Sequence, residues 1–252
     1  MTESGGENLN DVYFDGHYKN IWKQMIPEKL TIAETEFLIQ AANLKEAHCV
    51  LDLMCGYGRH ALSLAKKGIK VMAVDNLPDY ILEIENSASA ENLPIETCLA
   101  DVLNFKPQQA YDLVICLGNN LCFFAENDLS HLLSIIASSL DTGSKFIFNS
   151  WMLTELALKD FQRKTWTYVG ELKCLSDSTH LLFPSRIETR SIFIEPDGKS
   201  EEKVSIDYLY SFNEMADLLH KAGFRILETW SIPGRKKYSL GEPRVYFETV
   251  RQ

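Results

Sequence analysis

Short apolar runs alternate with segments of helical periodicity between residues 47 and 150, and this alternation constrains the fold more than any other feature. The runs cover residues 49–53, 69–74, 95–99, 111–117 and 145–149. Their almost continuous apolar character is typical of parallel strands that helices cover on both faces. Between residues 129 and 140, leucine and isoleucine recur at helical spacing. This order predicts a doubly wound α/β sheet with right-handed crossovers.

After residue 150 the pattern changes to strands without intervening helices. We predict these strands over residues 165–174, 180–195 and 203–212. Because no helix separates them, they should pair antiparallel and form a three-stranded insertion. In the last strand Val204, Ile206, Tyr208 and Tyr210 alternate with polar residues, which predicts that these four side chains face the buried side.

These changes divide the chain into four parts. We predict an N-terminal helical segment over residues 1–45, a ligand-binding core over 46–150, an antiparallel insertion over 151–212, and a closing helix with two strands over 213–252. Segment 12–25 is rich in aromatic residues, and it either packs on the sheet or forms a lid over the site. Both interpretations stay open at this point.

The composition restricts the partners of the chain. A net charge of −10 argues against nucleic acid, because binding phosphates needs a basic surface. No apolar run approaches the roughly 20 residues of a membrane helix, and the N-terminus lacks an apolar signal core. The six cysteines form no CxxC pair and no cluster with histidine at metal-ligand spacing. We therefore expect a reduced, cytoplasmic protein without a structural metal or a membrane partner.

A glycine loop separates the first predicted strand from the first helix of the core. Gly56 and Gly58 allow a tight turn and let a ligand approach the backbone at the positive end of a helix dipole. The spacing also fits the fingerprint of dinucleotide-binding folds. Asp52 opposes that interpretation, because a carboxylate just before the loop would repel a pyrophosphate but suits a cationic amino-acid group. An NAD-dependent dehydrogenase is therefore the disfavoured alternative.

Two further aspartates end the next two strands. Asp75 can accept hydrogen bonds from both hydroxyls of a ribose, and Asp101 can accept one from an adenine amino group. Val102 or Leu77 could lie against the adenine ring. Together with Asp52, three carboxylates stand at the carboxyl ends of successive strands, where open α/β sheets bind ligands.

The residues Asp-Leu-Met-Cys-Gly-Tyr-Gly-Arg-His over 52–60, with Asp75 and Ala100-Asp101-Val102, resemble the class I S-adenosylmethionine-dependent methyltransferases. The resemblance covers residues 50–150 and the closing elements. It implies a Rossmann-like, mostly parallel sheet of seven strands whose last strand is antiparallel, with the insertion after the fifth strand. It also implies S-adenosylmethionine as the cofactor.

The resemblance assigns roles to residues of the core. It implies that the methionine end of the cofactor is held by Asp52, Cys55, Gly56 and Gly58. Asp75 would hold the ribose, and Asp101 with Val102 the adenine. We expect neighbouring contacts from Asn76 and Leu117. Met54 departs from the commoner pattern, which has glycine at this position. This departure leaves the conformation of the loop open.

A second, narrower resemblance concerns the acceptor. Asn119 and Asn120 follow a glycine at the end of the fourth strand, and a similar pair occurs in small-molecule N-methyltransferases of the glycine-methylating type. A turn with a helix cap is the alternative interpretation. The resemblance implies in-line transfer of a methyl group to a nitrogen or oxygen of a small molecule.

The remaining candidates are less constrained. Residues that could contact the acceptor are Tyr13, Tyr18, Asn120, Trp151, Arg186 and Arg190. Candidate catalytic residues are His17, Tyr18, His180 and Asn119. A protein or RNA acceptor, or a regulatory module that binds the cofactor without catalysis, stays open, and so does the choice between monomer and homodimer.

Overall fold

A computed structural model of the protein describes residues 9–252. Its helices are α1 (His17–Met25), α2 (Glu28–Ala41), α3 (Arg59–Ala65), α4 (Pro78–Glu91), α5 (Glu126–Ser138), α6 (Thr154–Ala157) and α7 (Phe212–Lys221). Its strands are β1 (Cys49–Leu53), β2 (Lys70–Asp75), β3 (Ile95–Leu99), β4 (Tyr111–Cys116), β5 (Leu140–Ser150), β6 (Lys164–Val169), β7 (Leu172–Leu182), β8 (Ser185–Ile194), β9 (Ser200–Tyr208), β10 (Phe224–Ile232), β11 (Lys236–Lys237) and β12 (Val245–Arg251). Two short 3₁₀ helices cover Leu9–Val12 and Asn120–Phe123.

The large sheet has the strand order β11-β10-β12-β5-β4-β1-β2-β3. Strands β1 to β5 pair in parallel, whereas β12 runs antiparallel to both β5 and β10. The doubly wound, mostly parallel sheet with an antiparallel last strand is thereby confirmed. The sheet has eight strands rather than seven, because the two-residue β11 pairs with the outer edge of β10.

The insertion forms a second sheet of four antiparallel strands, in the order β6-β7-β8-β9, so the prediction of three strands was wrong. The predicted strand 165–174 contains a turn at Gly170, whose φ of 57° is a conformation that glycine adopts without steric cost. The predicted strand 180–195 contains a second turn at Phe183 and Pro184, between β7 and β8. Proline lacks the N–H group that would continue the ladder.

The side-chain directions predicted for this strand were wrong at Val204, whereas Tyr210, just beyond β9, is buried as predicted. Val204 is 39% exposed, whereas Ser205 is buried at 6%. At Val204 and Ser205 the polar face of the strand points inward. This face packs against the N-terminal segment, where Ser205 and Ser191 lie close to Tyr13.

Helices cover both faces of the large sheet. On one face, Leu132 and Leu133 of α5 pack with phenylalanines of β5, and on the other, Leu38 of α2 and Ile84 of α4 pack on β1 and β2. All four of these side chains are fully buried. Full burial of each contributes about 2 kcal/mol. The nearly continuous apolar runs of the sequence therefore follow from burial on two sides.

The N-terminal segment lies across the carboxyl ends of the strands. On one side it is fastened to α4, because Lys19 and Lys23 both form ion pairs with Glu83. The Tyr80 hydroxyl donates to the Phe14 carbonyl at 2.7 Å. These contacts place α1 above the loops that follow β1 and β2.

On the other side the same segment is fastened to β9. Asn10 donates to the Ile206 carbonyl and accepts from the Ile206 N–H, both at 2.9 Å. Lys203 donates to the Val12 carbonyl at 2.8 Å. The segment thus connects the large sheet to the inserted one.

Two general features of residues 9–252 bear on function. None of the helices in this part of the chain is long and apolar enough to cross a membrane. Within the same range, no three His, Cys, Asp or Glu side chains cluster in a way that could hold a metal ion.

Candidate functional site

A cavity opens at the carboxyl ends of β1 to β4, beneath the N-terminal segment. It encloses about 1050 Å³ of empty space, part of it open to solvent. Its wall includes residues predicted from the sequence: Cys55, Gly56, Asp75, Asn76, Asp101, Val102, Leu117, Tyr18 and Asn120. Open α/β sheets bind ligands at this position, because loops from successive strands converge there.

The loop between β1 and α3 has an unusual backbone. Gly56 and Gly58 have φ of 57° and 77°, and Met54 has φ of 53°. Met54 thus occupies the left-handed conformation that a glycine would adopt more easily, which accounts for the glycine of the commoner pattern. A Cβ atom at Gly56 would meet nothing within 4 Å, whereas one at Gly58 would lie 2.5 Å from Ile84. Gly56 borders the cavity, and Gly58 packs against α4.

Asp75 fixes the loops after β1 and β2. Its two carboxylate oxygens accept hydrogen bonds from the Gly56 N–H at 2.8 Å and the Leu77 N–H at 3.0 Å. Burial raises the pKa of Asp75, and these backbone donors partly offset the increase. Each oxygen retains a lone pair, so the carboxylate can still accept hydrogen bonds from a ligand.

Asp52 lies beneath the loop rather than on the cavity wall. Its side chain is buried, and its Oδ2 has no hydrogen-bond partner among residues 9–252. Burial raises the pKa of Asp52 to about 7, although the charge of Arg59 acts in the opposite direction. An unpaired buried carboxylate costs free energy unless a cation approaches it.

Asp101 and Val102 form the far end of the cavity. Asp101 is exposed, and its carboxylate accepts from the Leu103 N–H and from the Asn104 amide, both at 2.9 Å. Val102 is buried at 4% and offers an apolar surface. An acceptor beside an apolar surface suits the edge and face of a heterocyclic base.

Arg59, which the sequence reasoning missed as a site residue, supplies a cation on the cavity wall. Glu34 holds it: the Arg59 Nη1 donates to Glu34 at 2.5 Å and to Thr31 at 3.1 Å. Glu34 also accepts from Tyr246 at 2.6 Å and bonds His60 at 3.0 Å. Burial alone would raise the pKa of Glu34, but the His60 hydrogen bond and the Arg59 charge lower it to about 2. The arginine was visible in the sequence, but its distant partners were not.

The wall facing the inserted sheet is aromatic. Phe14, Tyr18 and Trp22 line it, and the Tyr18 ring lies 5.0 Å from Phe14 and 6.1 Å from Trp22 between centroids. Trp151 lies outside the lining but packs on Trp22 at 5.9 Å. Tyr13 also lies outside it, and its hydroxyl shares a hydrogen bond with Ser191 at 3.2 Å.

The other candidates from the sequence lie away from the cavity. Arg186 and Arg190 form ion pairs with Glu188 and Glu202. His17 pairs with Glu195 at 3.0 Å. These three side chains therefore have partners outside the cavity wall.

Asn119 and Asn120 have different surroundings. The Asn119 Oδ1 accepts from Ser150 and from the N–H groups of Trp151 and Met152, so this buried side chain ties the end of β4 to the end of β5. Asn120 donates to the Met54 carbonyl at 3.0 Å and lines the cavity. Only Asn120 of the pair is therefore in a position to meet a ligand.

Strand order and cavity together define a ligand-binding domain of the Rossmann-like class. Residues 50–143 match the family model of a methyltransferase domain. The glycine/sarcosine N-methyltransferase of Aphanothece halophytica is 27% identical over 100% of this chain and 97% of its own length.

Solved structures share the whole fold. An S-adenosylmethionine-dependent methyltransferase from Clostridium acetobutylicum superposes with a TM-score of 0.80 at 19% identity, covering 93% of this chain and 96% of that one. A sugar N-methyltransferase from Streptoalloteichus gives 0.72 at 20% identity, covering 100% and 99%. The domain match, the relatives and the shared fold support a class I S-adenosylmethionine-dependent methyltransferase with S-adenosylmethionine as its cofactor.

Three observations support the fit of this cofactor to the cavity. The open space at Gly56 leaves room for a ligand against the backbone. The unpaired Oδ2 of Asp52 suits a nearby ammonium group, and Arg59 on the wall suits a carboxylate. The ends of β1 to β3 thus offer complementary groups for an amino-acid end, a ribose and a base.

The two glycines of the loop should respond differently to alanine. We expect Gly58→Ala to lower the free energy of unfolding by about 2 kcal/mol, because its Cβ clashes with Ile84 and its φ is positive. Gly56→Ala should cost about 1 kcal/mol of stability, since only the positive φ opposes it. Its Cβ would project into the cavity, however, and should weaken S-adenosylmethionine binding. Denaturant titration and calorimetry of both variants measure the two effects, and equal losses of stability would contradict this assignment.

Proposed function

We propose that the enzyme transfers the methyl group of S-adenosylmethionine to the nitrogen of a small-molecule amine. The observation that carries the proposal is the aromatic wall of Phe14, Tyr18 and Trp22, which faces the space beside Asn120 and Leu117. Aromatic faces bind organic cations, and an amine is a cation at neutral pH. The relatives named as glycine/sarcosine and sugar N-methyltransferases support the same reaction class.

A small acceptor fits the enclosure of this space better than a polymer does. The N-terminal segment closes the cavity from above and is held at α4 by Glu83 and at β9 by Ile206. A protein or nucleic-acid chain would need to displace this segment. We propose that the segment acts as a lid, which opens for the acceptor and then excludes water from the site.

Within the cavity we assign the cofactor contacts as follows. Asp75 would accept from the ribose hydroxyls, and Asp101 would accept from the adenine amino group while Val102 packs on the ring. Arg59 would bind the carboxylate of the methionine end, and Asp52 would attract its ammonium group across the Cys55–Gly56 backbone. Asn76 and Leu117 border the same space.

When bound, the cofactor supplies an activated methyl group on a sulfonium centre. The protein then needs to hold the acceptor nitrogen in line with the carbon–sulfur bond and to exclude water. Tyr18 and Asn120 lie where they can orient the nitrogen, and Trp22 with Trp151 can limit the size of the acceptor.

Methyl transfer from S-adenosylmethionine carrying a tritiated methyl group tests this proposal. The acceptor panel contains amines (ethanolamine, glycine, sarcosine and an amino sugar), their hydroxyl analogues, and simple carboxylic acids. We expect labelled products from amines and none from the hydroxyl or carboxylic acceptors. Labelling confined to hydroxyl or carboxylic acceptors would contradict an N-methyltransferase.

A further inference from the structure

Asp207, near the end of β9, is a carboxylate that the cofactor site does not use. Ser205 lies two positions earlier on the same strand, so its side chain and that of Asp207 are on the same face. Because Ser205 is buried, the Asp207 carboxylate also faces the interior. Its only hydrogen-bond donor among the described residues is the Cys122 thiol, at 3.5 Å between Sγ and Oδ1. Cys122 belongs to the 3₁₀ helix that also carries Asn120, which lines the cavity.

Two tyrosines of the N-terminal segment lie near this carboxylate. Burial raises the pKa of Tyr13 and Tyr18, and the negative charge of Asp207 raises both further. The two rings are 4.9 Å apart between centroids. Tyr18 lines the cavity and Asp207 does not, so the carboxylate lies next to the aromatic wall rather than in the open space, away from the cofactor residues at the ends of β1 to β3.

No lysine, arginine or histidine in residues 9–252 forms an ion pair with Asp207. Lys203, on the same face of β9, is already bound by Asp15 and Glu201. Burial raises the pKa of Asp207 to about 6, so the group still carries its charge at neutral pH. A desolvated carboxylate without a cation is unfavourable by itself and is stabilised by a cationic ligand.

The surroundings of Asp207 favour an organic cation. Tyr13, Phe14 and Tyr18 form a cluster with centroid distances of 4.9–5.2 Å. Aromatic faces beside a carboxylate bind alkylammonium groups through cation–π contacts and charge pairing together. An uncharged acceptor would leave the carboxylate unpaired.

Among residues 9–252, the arginines nearest this region are already paired and do not offer a free cation to an acceptor carboxylate. Ile187 of β8 is paired with Asp207 of β9, so their side chains share a face of the sheet. Arg186 and Arg190 lie on the opposite face of β8, and each forms an ion pair with a glutamate. Arg59 lies on the cofactor side and is held by Glu34. An amino acid would therefore bring its carboxylate towards Asp207 without a compensating cation.

From this arrangement we infer that Asp207 binds the ammonium group of the acceptor and that the enzyme selects amines without a carboxylate beside the nitrogen. The inference rests on the proposed N-methyltransferase function and narrows its substrate class. It sets this chain apart from the relatives named for glycine and sarcosine.

Asp207 would also take part in the transfer itself. The ammonium nitrogen first gives one proton to the Asp207 carboxylate, which becomes a carboxylic acid. The freed lone pair then forms the nitrogen–carbon bond as the carbon–sulfur bond breaks, and that electron pair stays on sulfur. The products are the methylated ammonium ion and S-adenosylhomocysteine, and Asp207 later releases its proton to solvent.

The test compares ethanolamine with glycine as paired probes, in the wild type, Asp207→Asn and Asp207→Glu. Asp197→Asn is the matched control, because Asp197 lies exposed in the turn between β8 and β9. Calorimetric binding of S-adenosylmethionine to each variant shows whether the cofactor site has folded. Kinetics of methyl transfer and calorimetry with ethanolamine, in the presence of S-adenosylhomocysteine, report on the acceptor site.

We expect the wild type to prefer ethanolamine over glycine by at least about tenfold in kcat/KM, as like-charge repulsion predicts. Asp207→Asn should lose about 30-fold in kcat/KM for ethanolamine and most of its calorimetric signal while S-adenosylmethionine binding is unchanged. Asp207→Glu should recover part of the loss. Amine methylation that is insensitive to Asp207→Asn, or preference for glycine, would overturn the inference and leave the proposed function intact. Absence of transfer to every amine would overturn both.

Discussion

Asp75→Asn is expected to weaken S-adenosylmethionine binding by about 100-fold, the loss that two charge-assisted hydrogen bonds to the ribose would produce. The substitution keeps the size of the side chain but removes its charge, and one of its two backbone contacts, to Gly56 or Leu77, must also be lost. Calorimetric titration measures the effect. Asp128→Asn, an exposed aspartate in the first turn of α5, should leave the affinity unchanged.

A ribose analogue separates direct contact from damage to the loop. The 2′-deoxy form of S-adenosylmethionine should bind the wild type more weakly than the parent compound does. In Asp75→Asn the two ligands should bind almost equally, because the partner of the missing hydroxyl has been altered. If the deoxy analogue loses as much affinity in the variant as in the wild type, Asp75 does not contact that hydroxyl.

Asp52→Asn is expected to stabilise the ligand-free protein by about 4 kcal/mol at pH 8, because burial raises the pKa of Asp52 from 3.8 to about 7. The folded state prefers the protonated carboxyl, so the free energy of unfolding should fall as pH rises from about 4 to 7. Above pH 7 the full destabilisation by the charged Asp52 carboxylate is present, and below about pH 4 this destabilisation vanishes. Replacement by asparagine removes this part of the pH dependence.

Thermal denaturation of the ligand-free protein at pH 5 and pH 8 measures the effect, with the exposed Asp141→Asn as the control. Asp52→Asn should also bind S-adenosylmethionine more weakly, because the cofactor ammonium loses a negative charge. Higher stability combined with weaker binding identifies Asp52 as a group kept for function at a cost in stability. A variant that is less stable than the wild type at pH 8 would contradict this role.

The core of the fold could be predicted because its strands are buried on both faces. Val50, Leu51 and Leu53 of β1 are all fully buried, so the apolar run in the sequence coincides with the strand. The same approach fails where strands follow one another without helices. Gly170 and Pro184 each sit within a strand-like stretch, and the sequence marks their turns only by single residues.

The residues of the proposed cofactor site could be picked out from the sequence because they come from short segments at strand ends. Asp75 and Gly56 both lie next to recognisable strands, and they meet in a hydrogen bond. The position of Arg59 could not be predicted in this way. Glu34, which holds Arg59, also accepts a hydrogen bond from Tyr246, and these two residues are 212 positions apart in the sequence. Such long-range partners leave no local pattern.

Asp207 was absent from the sequence candidates for a more specific reason. Hydrophobic alternation in β9 predicts an apolar face turned inward, which would expose Ser205 and Asp207. The inward face carries Ser205, which lies close to Tyr13 of the N-terminal segment. Periodicity locates the two faces of a strand, but it cannot tell which of them meets a ligand.

Calorimetric titration of the purified protein with S-adenosylmethionine, with NAD titrated in parallel, tests the central claim most directly. We predict saturable binding of S-adenosylmethionine at one site, no binding of NAD, and loss of the signal in Asp75→Asn. Binding of NAD alone, or S-adenosylmethionine binding that Asp75→Asn leaves unchanged, would contradict the assignment of the cavity at the ends of β1 to β4.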